Sequence, residues 1–258
     1  MPQSDSATLD LFENYQDYLA LQHLYQAALK QLQMKFEVLN DEFQIRTGRS
    51  PIHHIETRLK STASILAKLQ KRGCEVTLDS AKQNINDLAG VRVVCGYIDD
   101  VYAVAEMLLR QSDVRLVKRQ DYIQAPNFNG YRSLHLDIQI PIYLSDHTEH
   151  VNVEVQLRTV AMDFWASLEH KINYKFEGKA PEHIRRQLVE CAKMVSDLDA
   201  RMLSLNEEIL TPCYTYDLHH CLLSEICLTC ARQLNHLLAT FLLHSISIAS
   251  SHSSYHTC

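Results

Sequence analysis

Apolar residues recur at intervals of three and four early in the chain. Leu29, Leu32, Phe36, Leu39 and Phe43 fall on one side of a helix, and no Pro or Gly interrupts before Gly48. The pattern predicts a helix over 11–47. Pro51 stands where a first helical turn accepts it, so a second helix is expected from there to about Arg72, closed by Gly73. The period then drops to two. VRVVCGY (91–97) reads as a short strand, separated by a helix over 99–111 from a second, VRLVKRQ (114–120). LHLDIQI (134–140) and VNVEVQL (151–157) alternate strictly. Leu134, Leu136, Ile138 and Ile140 oppose His135, Asp137 and Gln139; Val151, Val153, Val155 and Leu157 oppose Asn152, Glu154 and Gln156. Strands with one polar face predict a sheet covered by helices on one side and open on the other, and an open polar face is a place for a substrate. A helix over 159–175 follows. Pro181 then opens a long helix with Ile184, Leu188, Cys191, Val195, Leu198, Met202, Leu205 and Ile209 at alternating spacings of four and three. That stripe is as narrow as a coiled-coil seam. Packing on the N-terminal helix of the same chain is expected in preference to packing on another subunit.

The pattern divides the chain into a helical segment (1–48), a mixed core (49–178), an amphipathic helix (179–210) and a tail (211–258). The tail has three charged residues (Asp217, Glu225, Arg232), no Gly and six of the fourteen His. Five of the eight Cys also lie there, whereas Cys74, Cys95 and Cys191 are scattered, as in a reduced intracellular protein. The net charge of −6 argues against broad coating of nucleic acid, though not against a local basic pocket. No run of 18 apolar residues reads as a membrane span, and MPQSDSATLDLF does not read as a secretory leader. The cytoplasm is the expected compartment, with no obligatory nucleic acid and no membrane.

Three segments carry candidate chemistry. Lys60, Ser64, Lys68 and Lys71 fall on one face of the expected second helix, with Arg58 and Arg72 nearby. Such cations form a polyphosphate cradle, or simply a solvated face. Asp87, ahead of the first strand, and Glu154, mid-strand on the polar face, are two carboxylates that a sheet can bring together to hold Mg²⁺; a polar strand face alone is also ordinary. In DYIQAPNFNGYRSLH (121–135), Tyr131 can stack on a base and Arg132 and His135 can reach phosphates, unless the Tyr is buried in a plain loop. No Walker loop, GxGxxG, HExxH or GxSxG occurs, so any ATP binds by another route.

Together these segments resemble the RelA/SpoT-type (p)ppGpp synthetase domain in its short form, the small alarmone synthetases. The matching stretches are RLKSTASILAKLQKRG (58–73), NDLAGVRVVCGYIDDVY (86–102), KRQDYIQAPNFNGYRSLHL (118–136) and VEVQLRTVAMDFWASLEHKINYK (153–175), in family order and spacing. The resemblance implies an α+β, nucleotidyltransferase-like fold: a mixed five-stranded sheet flanked by helices, with long N- and C-terminal helices. It implies transfer of pyrophosphate from ATP to the 3′-hydroxyl of GDP or GTP, giving ppGpp or pppGpp and AMP in the stringent response. It makes Asp87 and Glu154 the Mg²⁺ ligands and Glu154 the base. Arg58 and Arg92 resemble the pair that sandwiches adenine, and Lys60, Ser64 and Lys68 the contacts to the ATP phosphates. Tyr131 matches the residue that stacks on guanine, with His135, Asn129, Arg132 and Gln156 around the acceptor. It further implies a homotetramer, with the stripes at 29–43 and 184–209 as candidate contacts, and (p)ppGpp as an allosteric ligand.

Two positions depart from the family. Gln120 and Asn127 stand where many members carry Lys, which weakens the positive field around the acceptor phosphates and leaves the choice among GDP, GTP and GMP open. The chain has no His-Asp dipeptide, so the hydrolase half of the bifunctional enzymes is absent and synthesis alone is expected. One rival is a relative that modifies tRNA or adenine nucleotides, disfavoured by the acidic charge and Tyr131. Another is a catalytically dead nucleotide-sensing module, disfavoured by retention of Asp87 and Glu154. In the tail, Cys227-x-x-Cys230 with Cys213, Cys221, His219 and His220 offers zinc ligands by type but in no standard spacing. A disordered or non-native extension is the expectation there.

Overall fold

The computed structural model describes residues 15–176 and 179–210. Helix α1 (Tyr15–Thr47) leads into β1 (Ile52–Leu59), α2 (Thr62–Arg72), α3 (Leu78–Asn84), β2 (Ala89–Cys95), α4 (Ile98–Leu109), β3 (Arg115–Asp121), β4 (Leu134–Tyr143), β5 (Thr148–Thr159), α5 (Val160–Lys175) and α6 (Glu182–Leu210). The strands form one mixed sheet in the order β1–β2–β5–β4–β3, as the α+β reading expects. Only β2 and β5 run parallel.

The strict alternation of β4 and β5 translates directly into burial. Leu134, Leu136, Ile138, Ile140, Val151, Val153, Val155 and Leu157 are sealed from solvent on one face. Helix α1 covers that face with Leu29, Leu32, Phe36 and Leu39. These four are buried in the chain's own core and so are not available for subunit contacts, while Phe43, at the end of the stripe, is half-buried. The first half of α6 docks through Ala192 onto Trp165 of α5, and the Trp165 indole N–H donates to the Leu188 carbonyl at 3.0 Å. Beyond that point Leu198, Met202, Leu205 and Ile209 are exposed. The start of the stripe therefore packs within the chain, but on α5 and not on the N-terminal helix as expected.

The helix expected from Pro51 to Arg72 is instead a strand followed by a shorter helix. Ile52, Ile55 and Leu59 have helix-like spacing, but a register shift between Ile52 and His54 inserts one residue. A bulge of this kind turns two apolar residues three apart onto the same sheet face. The helix begins only after Ser61, whose side chain accepts from the Ser64 N–H. It ends at Gly73, φ 67°. The short α3 was not expected at all. The Cys/His tail and its candidate zinc ligands lie outside the described residues.

Register places the polar face in two rows across all five strands. One runs Arg58, Gly90, Glu154, Asp137 and Lys118; the next runs Glu56, Arg92, Gln156, His135 and Gln120. With neighbouring strands about 4.8 Å apart, residues far apart in sequence become neighbours.

Candidate active site

Glu154 lies at the middle of the first row, on the central strand. Gln156 donates to its Oε2 at 2.8 Å, and His135 Nδ1 stands 3.5 Å from its Oε1. Burial pushes its carboxyl up, yet the hydrogen bonds and charge from His135 and the bond from Gln156 outweigh this, and Asp87 pushes it partway back. The net shift is downward, so Glu154 is ionised at neutral pH. The influence of Asp87 also marks the two carboxylates as electrostatic neighbours.

Asp87 sits in the turn between α3 and β2. Lys60 donates to its Oδ2 at 2.8 Å and Lys68 to its Oδ1 at 2.7 Å. Burial again raises the carboxyl, and the two lysines lower it further than burial raises it. Lys60 is not on the helix with Lys68, as its spacing had led us to expect. It directly follows β1, where its N–H donates to the Leu88 carbonyl at 2.8 Å, and the two ammonium groups converge on Asp87 from different parts of the chain. Ser64 lies in the first turn of α2, its hydroxyl 2.9 Å from that of Ser61.

Arg58, Lys60, Asp87, Gly90, Arg92, Glu154 and Gln156 line one cleft of about 200 Å³. Gly90 separates Arg58 from Glu154 in the row, and the missing side chain keeps the floor open. A larger cavity of about 570 Å³ lies between the start of α1, α3 and the β4–β5 turn. It shares no residue with this cleft and contains neither Asp87 nor Glu154, so the smaller cleft is the candidate site. Among the described residues no group of three or more His, Cys, Asp or Glu can hold a metal. Mg²⁺ needs only one or two carboxylates when substrate phosphates complete its shell. Ionised Glu154 and Asp87, once phosphates draw Lys60 and Lys68 from its two oxygens, are the two carboxylates of the cleft that could meet that demand.

On the other side of Glu154 stands an aromatic group. The Tyr131 hydroxyl is 2.8 Å from His135 Nε2, and Tyr122 meets both rings edge-on. Two acceptor-side candidates serve the loop instead. Asn129 accepts from the Tyr131 N–H at 3.2 Å and donates to Glu169 at 3.0 Å, while Arg132 donates to the Ile123 carbonyl at 2.6 Å. Gln120 donates to the Tyr122 hydroxyl at 2.6 Å.

Sequence reading missed Arg158 and Asp163. Arg158 is almost fully buried and contacts Tyr131, Gln156, Ser133 and Asp163. Its place on the polar face of β5 was legible; its burial was not, because it depends on α5 and on the loop carrying Tyr131 and Ser133. Asp163 is one acid in a helical first turn and carries no sequence signal.

A mixed sheet with an ionised carboxylate between a cationic cleft and an aromatic ledge is an arrangement suited to group transfer between phosphorylated substrates. The chain matches the model of the region found in RelA / SpoT proteins over residues 57–179. It is 45% identical over 186 residues to the GTP pyrophosphokinase YwaC of Bacillus subtilis (strain 168), covering 72% of this chain and 89% of that protein. The crystal structure of small alarmone synthetase 2 from Bacillus subtilis aligns with a TM-score of 0.69 at 43% identity, over 74% of this chain and 99% of that one. Small alarmone synthetase 1 of the same organism, bound to its product pppGpp, aligns with a TM-score of 0.70 at 33% identity, over 76% and 100%. The chain belongs to the RelA/SpoT synthetase family.

Proposed function

We propose that this chain is a GTP pyrophosphokinase: it moves the β,γ-pyrophosphate of ATP to the 3′-hydroxyl of GDP or GTP. The observation that carries this reading is the position of Glu154. It is ionised, midway along a row with a cationic cleft on one side and the Tyr131–His135 ledge on the other. ATP occupies the cleft, its adenine between Arg58 and Arg92 and its phosphates against Lys60, Ser64 and Lys68. The acceptor base stacks on Tyr131, with His135 and Gln156 at its sugar and phosphates.

Asp87 and Glu154 are the residues that would hold Mg²⁺, which supplies charge neutralisation on the triphosphate. Glu154 takes the proton of the 3′-hydroxyl as its oxygen bonds to the β-phosphorus. The bond from the β-phosphorus to the oxygen bridging it to the α-phosphorus breaks, and AMP leaves with that oxygen. Lys60 and Lys68 exchange Asp87 for phosphate oxygens and stabilise charge there. Holding both nucleotides on one sheet face removes much of the entropic barrier. No helix among the described residues is long and apolar enough to cross a membrane. The uncovered apolar stripe of α6, with exposed Val160, Phe164 and Leu168 on α5, supports assembly as a homotetramer.

The test is to incubate the protein with ATP, Mg²⁺ and GDP, GTP or GMP in turn and to resolve products by anion exchange, with Glu154→Gln as control. A new 3′-pyrophosphorylated guanosine with matching AMP, lost in the variant, is expected. No product with any guanine nucleotide refutes the reading and turns attention to tRNA and adenine acceptors. Product formed equally by the variant refutes the role of Glu154.

A further inference from the structure

One carboxylate oxygen touches both halves of the site. Asp163 lies in the first turn of α5, just after Thr159, whose side chain accepts from the Met162 N–H and starts the helix. An acid there is favoured by the helix N-terminus. Its Oδ1 accepts from Arg158 Nη1 at 3.1 Å and lies 3.5 Å from Arg92 Nη1. Arg92 lines the cleft, whereas Arg158, on the same strand as Glu154, holds the Tyr131 hydroxyl.

Arg158 is the fixed member. It is 5% exposed, and a charge so deeply buried requires partners. Nη2 donates to the Tyr131 hydroxyl at 2.6 Å and to Gln156 Oε1 at 3.0 Å. Nε donates to the Ser133 hydroxyl at 3.4 Å. Its Cζ also sits 5.1 Å from the centre of the Tyr131 ring. The guanidinium thus sets where Tyr131 stands and how Gln156 presents its amide to Glu154. Arg92 is the adjustable member. Its Nη1 is divided between Glu56 at 2.9 Å and Asp163, and its buried Nε has no hydrogen-bond partner among the described residues.

We propose that Asp163 is a positioning residue that links the donor and acceptor subsites, so that ATP binding at Arg92 prepares Tyr131 for the acceptor through Arg158. The inference rests on the assignment of Arg92 to ATP and Tyr131 to the acceptor. Adenine stacked on Arg92 fixes that side chain and with it the load on Asp163 Oδ1. Asp163 then holds Arg158, and Arg158 holds Tyr131. Part of the ordering needed to bind the acceptor is already complete, which is positive coupling without a change of fold. Asp163 itself contacts neither nucleotide.

The experiment measures the Kd of GDP by calorimetry with and without a saturating, non-hydrolysable ATP analogue, in the wild type, Asp163→Ala and Asp163→Asn. Coupling between sites is typically about 5- to 150-fold, so the analogue is expected to tighten GDP by about fivefold or more in the wild type. The ratio is expected to fall to near one in Asp163→Ala and to recover partly in Asp163→Asn, which keeps an accepting oxygen. KM for both substrates should rise in Asp163→Ala more than kcat falls. A purely structural role would lower the unfolding midpoint and leave the ratio unchanged. A wild-type ratio of one, or an unchanged ratio in both variants, overturns the link. Should Asp163→Ala not fold, the ratio in Asp163→Asn decides alone: a wild-type value overturns the link. Arg92→Ala and Tyr131→Ala separate this from the underlying assignment. If they leave the Kd of the analogue and of GDP unchanged, respectively, the assignment fails and the link with it.

Discussion

Gly130 is the position where a single methyl group tests how the acceptor loop is built. Its φ is 89°, and a Cβ added there would lie 2.5 Å from the Ala192 Cβ on α6. Two separable costs follow for Gly130→Ala. The left-handed backbone costs an L-residue about 1–2 kcal/mol, and forcing a carbon into a packed site costs about 1–3 kcal/mol. Together they remove about 2–5 kcal/mol from a total stability of about 5–15 kcal/mol. Urea unfolding of Gly130→Ala, Ala192→Gly and the double variant separates them. Ala192→Gly clears the space but leaves the backbone cost, so the double variant should recover about 1–3 kcal/mol relative to additivity. The acceptor KM should rise in Gly130→Ala because Tyr131 is the next residue, while the ATP KM, set on β1 and α2, should change little. Strict additivity would refute the claim that α6 seats the acceptor loop, and an unchanged stability in Gly130→Ala would refute the whole argument.

Further outcomes follow from the same geometry. Glu154→Gln should lower kcat by about 10²–10⁴-fold, the usual contribution of a general base, while nucleotide binding measured by calorimetry persists. Asp87 has a depressed folded pKa, so its lysine contacts contribute stability that is fully present above the ordinary Asp value and lost as pH falls through the folded value. The urea midpoint should therefore drop as pH falls below about 4, and Asp87→Asn should flatten that drop. Asp199 is opposite in sign. Burial raises its pKa, only partly offset by the hydrogen bond from Thr159 and the charge of Arg132, so its ionisation costs stability as pH rises from the ordinary Asp value through the folded one. Asp199→Asn keeps an acceptor for Thr159 and should raise the thermal midpoint at pH 7; a lower midpoint would show that the charge is needed. Leu205→Glu, on the uncovered stripe, should leave the fold by circular dichroism intact and reduce the mass in light scattering. An unchanged mass would exclude that stripe from the assembly.

Strands β4 and β5 were legible because each buries one face completely, and their alternation records it residue by residue. Strand β1 was not, because its bulge converts a sheet face into helix-like spacing at Ile52, Ile55 and Leu59. Helix α3 is short and buries only Ala81, too little to leave a period. The stripe on α6 was visible, but a stripe does not name its partner. Within the site, residues that act alone on a strand or loop, such as Glu154, Asp87 and Tyr131, could be nominated from sequence. The contacts among them could not, since they depend on register.

That register is what the proposed placement of two nucleotides rests on. Strands β2 and β5 are parallel and central, so Gly90 and Glu154 stand side by side, and the antiparallel outer strands add Arg58 at one end and Asp137 and Lys118 at the other. The donor half thereby gathers Arg58, Arg92, Lys60 and Lys68. The acceptor half is poorer in charge: Gln120 is engaged by Tyr122, Arg132 by the Ile123 carbonyl, and Asp137 is an acid held by Asn86 at 3.2 Å. Lys118, exposed in the same row as Glu154, has no partner among the described residues. Lys118 apart, each added 5′-phosphate on the acceptor would meet little positive field in the proposed site. Affinity should gain less from GDP to GTP than it would in a site with cations at 120 and 127. Gln120→Lys places a cation beside His135 in the second row and should lower the KM for GTP more than for GMP. Equal effects on both would show that the 5′-phosphates do not extend towards β3, and would reverse the direction assigned to the acceptor on this face.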